Sequence, residues 1–503
     1  MFGMFKLKPN KKYSNITIHT NKLHKLKEAL LMNKIPLLNA LKQFANKETI
    51  SLHVPGHKNG KHSFINELGL PNILNYDVTE LNGLDDLHYP SEVISEAQKM
   101  LAKAYNAEES FFLVNGSTVG NLAAILALCG ENDEVLVQRN CHKSIFHGLL
   151  LAGAKPIFLP LDIDEELGQP LGVNSEQSMN VIKNYPKAKA IILTNPNYYG
   201  MSQSLKNIIE LAHSMEIPTI VDEAHGTHFI IGDPFPNDAL SMGADIVIQS
   251  AHKTLPAMTM GSYLHIKSKL VCKDKVREML RMLQSSSPSY PIMASLDYAR
   301  SFVETFSHDK VKILQKKIAE FIKEVNDLSS IQIVTSSRIN YTQDLLKVIV
   351  KSKKGQTGKQ LQEIFENEGI YSELSDWGHV LFILPLDERM DFNDLINRIK
   401  KAIESMAYIE NKQPKLNIPN FTSTVLHSYA DLKKKRKLVK DLADSVGEIS
   451  AENIVPYPPG IPILLKGELV TTKHVDYIHD VYQYGMTIQN LIEDKNLQIE
   501  VLV

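Results

Sequence analysis

Ser250-Ala251-His252-Lys253 follows an apolar run, Asp245 to Gln249, so one lysine stands beside a hydroxyl and an imidazole at the end of a strand-like segment. An earlier run, Pro218-Thr219-Ile220-Val221, ends in Asp222-Glu223-Ala224-His225. A lysine that has lost its proton attacks carbonyl carbons, and partial burial lowers its pKa toward that state. If both runs are parallel strands, the lysine and the aspartate sit at carboxyl ends, where open α/β sheets bind ligands. An imine-forming lysine and an aspartate facing a pyridinium nitrogen are a protein's contributions to pyridoxal-phosphate chemistry.

Two further segments suit that chemistry. Asn115-Gly116-Ser117-Thr118 follows the apolar run Ser110 to Val114 and opens a helix. Hydroxyls and backbone N–H groups converge there, and the helix dipole favours a phosphate, although such residues also serve as plain caps. Arg139-Asn140-Cys141-His142-Lys143-Ser144 follows the next strand, where His142 can lie flat against a cofactor ring. An ionised Asp222 would keep the ring nitrogen protonated, which improves the electron sink. Ser250 and His252 flank Lys253 closely enough to reach the phosphate.

These residues need a scaffold, and the chain supplies its pattern. From about residue 109, apolar runs at 110–114, 134–137, 190–194, 217–221 and 245–249 alternate with amphipathic segments such as Leu205 to Met215. That alternation predicts βαβ units and a doubly wound sheet. A helical region near 309–327 leads to strands near 346–351 and 380–384, predicting a smaller α/β domain. The linker Asn411 to Asn420 and the turn-rich Pro456 to Pro462 mark a third unit. The expected organisation is an extension over 1–35, a large domain over 36–305, a small domain over 306–412 and a C-terminal domain over 413–503. Lys27-Glu28 can be encoded as a ribosome-binding sequence just ahead of Met32, so Met32 is the expected translation start.

Composition narrows the field. The chain has 503 residues, 43% of them hydrophobic and 22% charged, with a formal net charge of -2, so no overall basic field draws nucleic acid or an anionic membrane. Cys129, Cys141 and Cys272 have neither metal-ligand spacing nor a disulfide framework, which fits a reducing cytoplasm. No apolar run reaches the length of a membrane span. Asp222-Glu223-Ala224-His225 spells a helicase-like box, yet the nearest phosphate-loop candidate, Gly355 to Gln360, lacks the required pattern. His53 and His57 have no further ligand set for a metal, and Lys433 to Lys437 reads as a solvated helix face.

Taken in order, the motifs resemble the class I ornithine/lysine/arginine decarboxylases, fold-type-I pyridoxal-phosphate enzymes, from about residue 36 onward. The resemblance rests on His53 to Lys58, Leu84 to His88, Asn115 to Thr118, Arg139 to Ser144, Asp222 to Gly226, Ser250 to Lys253 and Pro456 to Pro462. It implies a mostly parallel seven-stranded sheet, Lys253 as the covalent cofactor lysine, Asp222 on the ring nitrogen and His142 stacked on the ring. It further implies that Ser117, Thr118, Ser250 and His252 hold the phosphate, with His225 also at the cofactor. The run Gln284-Ser285-Ser286-Ser287-Pro288 resembles the segment that approaches a neighbouring subunit's cofactor, so Ser286 and a homodimer or larger assembly are implied. Met260 stands where the family usually carries glutamine, which is similar to a shorter branch common in Gram-positive bacteria.

The expected reaction is α-decarboxylation of lysine, ornithine or arginine, with His252 or Lys253 returning a proton to the α-carbon. A cationic substrate tail calls for a carboxylate, and Glu80, Asp85, Asp86, Glu373, Asp376 and Glu468 are the candidates. The rivals are an aminotransferase or aldolase-type reaction on the same scaffold, and a non-catalytic cofactor-binding regulator. The strand Val380 to Leu384 contains no arginine to clamp an α-carboxylate, and Arg389 lies beyond it, which favours decarboxylation. A regulator would need an appended DNA-binding module, and none is evident in the sequence.

Overall fold

Runs of Ile, Val and Leu bounded by turn residues become seven strands: β1 (Glu109–Leu113), β2 (Glu134–Gln138), β3 (Lys155–Leu159), β4 (Ile191–Thr194), β5 (Thr219–Asp222), β6 (Ile246–Gln249) and β7 (Ser262–Ile266). This computed structural model describes residues 35–47, 51, 53–55, 57–59, 71–404, 406–410, 425, 427–457, 461–483 and 485–503. The expectations for Met32 and residues 1–34, the linker 411–420 and residues 458–460 lie outside the described residues.

The strands form one sheet in the order β1-β7-β6-β5-β4-β2-β3. β7 alone is antiparallel to its neighbours, pairing with β1 and β6; the other contacts in the sheet are parallel. Successive side chains of a strand point to opposite faces. Leu136, Ile191, Leu193, Val221 and Val247 accordingly enter one core, while Val135, Val137, Ile192, Ile220 and Ile246 enter another. Sheets covered on both faces need such continuous apolar runs. The sequence pattern missed β7 because Ser262, Tyr263 and His265 interrupt its apolar character. Their polar atoms are satisfied internally: Tyr263 Oη donates to Leu296 O at 2.7 Å, and His265 lies 2.7 Å from Ser110 Oγ and 3.2 Å from Gln249 Oε1.

Helices α1 (Pro36–Ala45), α2 (Val93–Ala104), α3 (Gly116–Leu128) and α4 (Lys143–Ala152) precede or follow these strands. α3 is apolar nearly all round because the sheet and its neighbouring helices enclose it. Gly120 lets it approach closely: a Cβ there would lie 2.7 Å from Leu113 Cδ1 and 2.9 Å from Ile248 Cγ2.

A second, antiparallel sheet is built from β8 (Ile331–Val334), β9 (Lys347–Ser352), β10 (Leu374–Ser375) and β11 (His379–Ile383), in the order β8-β9-β11-β10. Beyond it, Lys437–Asp441 and Ile449–Ser450 pair with Leu497–Leu502 beside the helix Thr472–Gln483. The basic run here departs from expectation. Lys433 to Arg436 leave a four-residue helix, Tyr429–Leu432, through a turn, and Lys437 opens a strand. Lys437 is drawn into that strand's edge by Glu452 and Glu500.

Candidate active site

Five strand ends deliver the site. After β1 come Gly116, Ser117 and Thr118; after β2, Asn140 and His142; after β4, Pro196 to Tyr198; after β5, Ala224 and His225; after β6, Ser250, His252 and Lys253. Together with Asp222 they line a cavity of about 310 Å³, closed on another side by Ile461 from the C-terminal unit.

One end of the cavity is built of hydroxyls. Gly116 takes a positive φ of 75° and donates its N–H to Met260 O at 2.9 Å, which turns the chain sharply into α3. Ser117 on the first turn then meets Ser250 Oγ at 2.7 Å. Ser250 is 2% exposed. Beside it, His252 lies with Nδ1 3.0 Å from Gly261 O, and burial lowers its pKa against the pull of that carbonyl.

The other end is built on a carboxylate. Asn121, one turn beyond Ser117 on the same face of α3, donates to Asp222 Oδ2 at 3.0 Å and to Ser144 Oγ at 2.9 Å. Ser144 in turn lies 2.9 Å from His142 Nδ1. Asp222, 3% exposed, also accepts from the N–H of Ala224 at 3.1 Å. His142 caps α4, and burial pushes its pKa down to about 4, with Asp222 opposing and Lys253 assisting. It is therefore a neutral ring at neutral pH.

Lys253 lies on a four-residue helix, Ala251–Thr254, rather than an open turn. Its pKa is lowered by burial, against which the charges of Asp222 and Glu373 act. Its Nζ is 3.0 Å from His225 Nε2 and 5.5 Å from the centre of the Tyr198 ring. Ser286 is exposed, and the pocket of its own chain is lined by other residues.

The six carboxylates considered for a substrate tail separate clearly. Asp85 accepts the backbone N–H groups of Ser91, Glu92, Ile94 and Ser95, and so holds the start of α2. Asp86 accepts from His88 N, while Asp376 is taken up by Tyr199, Gln169 and His379. Glu468 pairs with Arg139, both fully buried, and Glu80 is exposed. Glu373 alone of the six touches the pocket wall: Tyr198 Oη donates to it at 3.2 Å. Arg389 is exposed and paired with Asp387, outside the pocket.

The cavity fits pyridoxal phosphate. Asn121 Oδ1 and Thr194 Oγ1 are buried, line it and have no hydrogen-bond partner. One turn of α3, about 6 Å, separates the hydroxyl at Ser117 from the amide at Asn121 that holds Asp222. With a lysine, a cluster of hydroxyls and a carboxylate lining one cavity at the carboxyl ends of a doubly wound sheet, the fold and site define a fold-type-I pyridoxal-phosphate enzyme.

Residues 35–391 match the model of the Orn/Lys/Arg decarboxylase major domain, and residues 412–487 match that family's C-terminal domain. The chain belongs to the Orn/Lys/Arg decarboxylase family, and is a pyridoxal-phosphate-dependent carboxy-lyase. It is 44% identical to the uncharacterized protein YaaO of Bacillus subtilis (strain 168), over 93% of this chain and 98% of that one. It is 34% identical to an arginine decarboxylase of the same organism, over 93% of this chain and 97% of the relative. In fold it is similar to the lysine decarboxylase LdcF of Francisella novicida, with a TM-score of 0.80 at 20% identity, covering 96% of this chain and 83% of that one.

Asn121, Ser144 and Lys347 were not anticipated as site residues. Asn121 lies a helical turn past the Ser117 motif, and that spacing is the one signal that could have found it. Lys347 is remote in sequence and enters from the second sheet.

Proposed function

We propose that this protein decarboxylates a basic amino acid, lysine, ornithine or arginine, to the corresponding amine and carbon dioxide, and so feeds polyamine synthesis in the cytoplasm. The observation that carries the substrate class is Glu373, a carboxylate one hydrogen bond from the pocket wall at Tyr198. No arginine is among the described residues lining that pocket. The relatives named as arginine decarboxylases favour arginine among the three.

When bound, pyridoxal phosphate supplies a sink for the electron pair left as the bond to the carboxylate breaks. Lys253 would hold it covalently, Asp222 would pair with its ring nitrogen and His142 would lie against the ring. Ser117, Thr118, Ser250 and His252 would hold its phosphate, and His225 would contribute from the Lys253 side. Glu373 attracts the substrate's cationic tail, a screened interaction at an exposed carboxylate. Lys253 or His252 delivers the proton to the α-carbon, since both line the cavity. Ser286 completes the site of a second copy in a homodimer or larger assembly.

The test is to mix cofactor-loaded protein with each amino acid separately, and to identify products by mass spectrometry alongside carbon dioxide release. Cadaverine, putrescine or agmatine identifies the substrate. Keto acid or aldehyde without carbon dioxide would reject the reaction.

A further inference from the structure

His142 and His225 both line the cavity, but their neighbours treat them differently. His225 meets Lys253 Nζ at 3.0 Å and Lys347 Nζ at 2.9 Å, and an amine on each side gives its ring no direction. At His142 the partners are unequal. The backbone N–H of Ser144 donates to Nδ1 at 3.3 Å, and a backbone N–H cannot accept. Nδ1 is therefore the acceptor, and Nε2 carries the hydrogen.

The side chain of Ser144 points the same way, through a relay that starts at a charge. An ionised carboxylate only accepts, so the atom of Asn121 that meets Asp222 Oδ2 at 3.0 Å is the amide Nδ2. That Nδ2 gives its second hydrogen to Ser144 Oγ at 2.9 Å. Ser144 is 1% exposed and stands outside the cavity lining. It has one hydroxyl hydrogen left to give, and His142 Nδ1 lies 2.9 Å away to receive it. An Nδ1–H tautomer would set that hydrogen against the Ser144 N–H and take the acceptor from the hydroxyl.

An Nε2–H imidazole can gain a proton only at Nδ1, and here that lone pair is already engaged. The charged and titratable groups around the ring are Asp222 from β5, His225 beyond it, Lys253, and Lys143 and His147 on α4. Burial lowers the pKa of His142 to about 4, Lys253, Lys143 and His147 act in the same direction, and Asp222 opposes them.

We propose that Ser144 is a positioning residue: its hydroxyl, oriented by Asn121 from Asp222, occupies Nδ1 of His142, fixes the Nε2–H tautomer and keeps this imidazole neutral. The charge of Asp222 is then left for the cofactor's ring nitrogen, a consequence that rests on Asp222 and His142 meeting the cofactor as proposed above.

Nitrogen-15 NMR of full-length, cofactor-free protein labelled at histidine reads the ring directly, with His142 assigned by His142→Gln. Wild type should show the Nε2–H tautomer, neutral from about pH 8 down to about pH 5. An Nδ1–H or doubly protonated ring in that range would refute the proposal, and this measurement decides the tautomer even if a variant does not fold. Ser144→Ala keeps the backbone N–H but loses the hydroxyl donor, so the midpoint of His142 should rise by about one unit, a roughly tenfold tighter hold on the proton. Ser144→Thr keeps the hydroxyl and should leave the midpoint where it stands in wild type. An unmoved midpoint in folded Ser144→Ala, or an equal rise in both variants, would overturn the role of the hydroxyl. Adding pyridoxal phosphate should then move the His142 resonances; if they stay in place, the cofactor's position is overturned, an outcome read separately from the tautomer.

Discussion

In the proposed mechanism Lys253 would hold the cofactor through a covalent bond and Glu373 the substrate's tail through charge, so their substitutions should fail differently. Lys253→Ala should lose the visible absorbance of bound cofactor along with turnover, because the nucleophile itself is gone. Absorbance that survives the substitution would move the covalent role to another lysine. Glu373→Gln should retain the absorbance and raise KM for the basic amino acid about three- to tenfold, as befits an exposed ion pair worth about 1 kcal/mol. A kcat loss at unchanged KM would instead place Glu373 in the chemistry. This carboxylate illustrates the limit of reading residues singly. The sequence offers six candidates of equal standing, and only the fold shows that Asp85 serves a helix start and Glu468 a buried arginine.

At the scale of elements, a buried ion pair ties the C-terminal unit to the sheet beside their shared apolar core. Arg139, just past β2, donates to Glu468 at 2.8 and 3.0 Å, and to the carbonyls of Pro462 and Ile463 at 2.8 and 3.0 Å. Removing one partner of such a pair strands the other, so Arg139→Met should cost about 3–5 kcal/mol, measured as a lower urea midpoint. A loss within about 0.5 kcal/mol would show that the surroundings re-solvate Glu468. Five strands of the main sheet, β1, β2, β4, β5 and β6, were legible because strands buried on both faces must be apolar runs, and the motif residues fall at their ends, whereas β3 at the sheet's edge was not singled out. β7 was not legible, since buried polar side chains break its run, and their partners Ser110 and Gln249 lie on other strands. Asn121 and Lys347 were hidden for a related reason: a helical turn and a second sheet bring them to the site, with no local motif to announce either.

Across the whole molecule, stability should depend on pH through histidines that are buried neutral. Burial pushes the pKa of His265 down to about 3, below its ordinary value of 6.5. Between those values the unfolded chain binds more protons than the folded one, so stability rises with pH and is lost as pH falls from about 6.5 toward 3. The loss is at most about 1.4 kcal/mol per pH unit for such a histidine. Urea midpoints should therefore fall between pH 7 and pH 5, and a His265→Gln variant should fall less over the same interval; equal slopes would assign the acid sensitivity elsewhere. Among the described residues no helix is long and apolar enough to cross a membrane.

Ile461 has a consequence that reaches past the pocket it helps to close. Because the polypeptide ending in that wall is tied to the sheet through Arg139, whatever fills the cavity binds the native arrangement of the tail as well as the strand ends. By thermodynamic reciprocity, occupancy must then protect the tail, just as an intact tail must favour occupancy. Amide exchange around Leu464 to Glu468 should slow when the cofactor enters, turning a segment distant from Lys253 in sequence into a gauge of whether the enzyme is loaded.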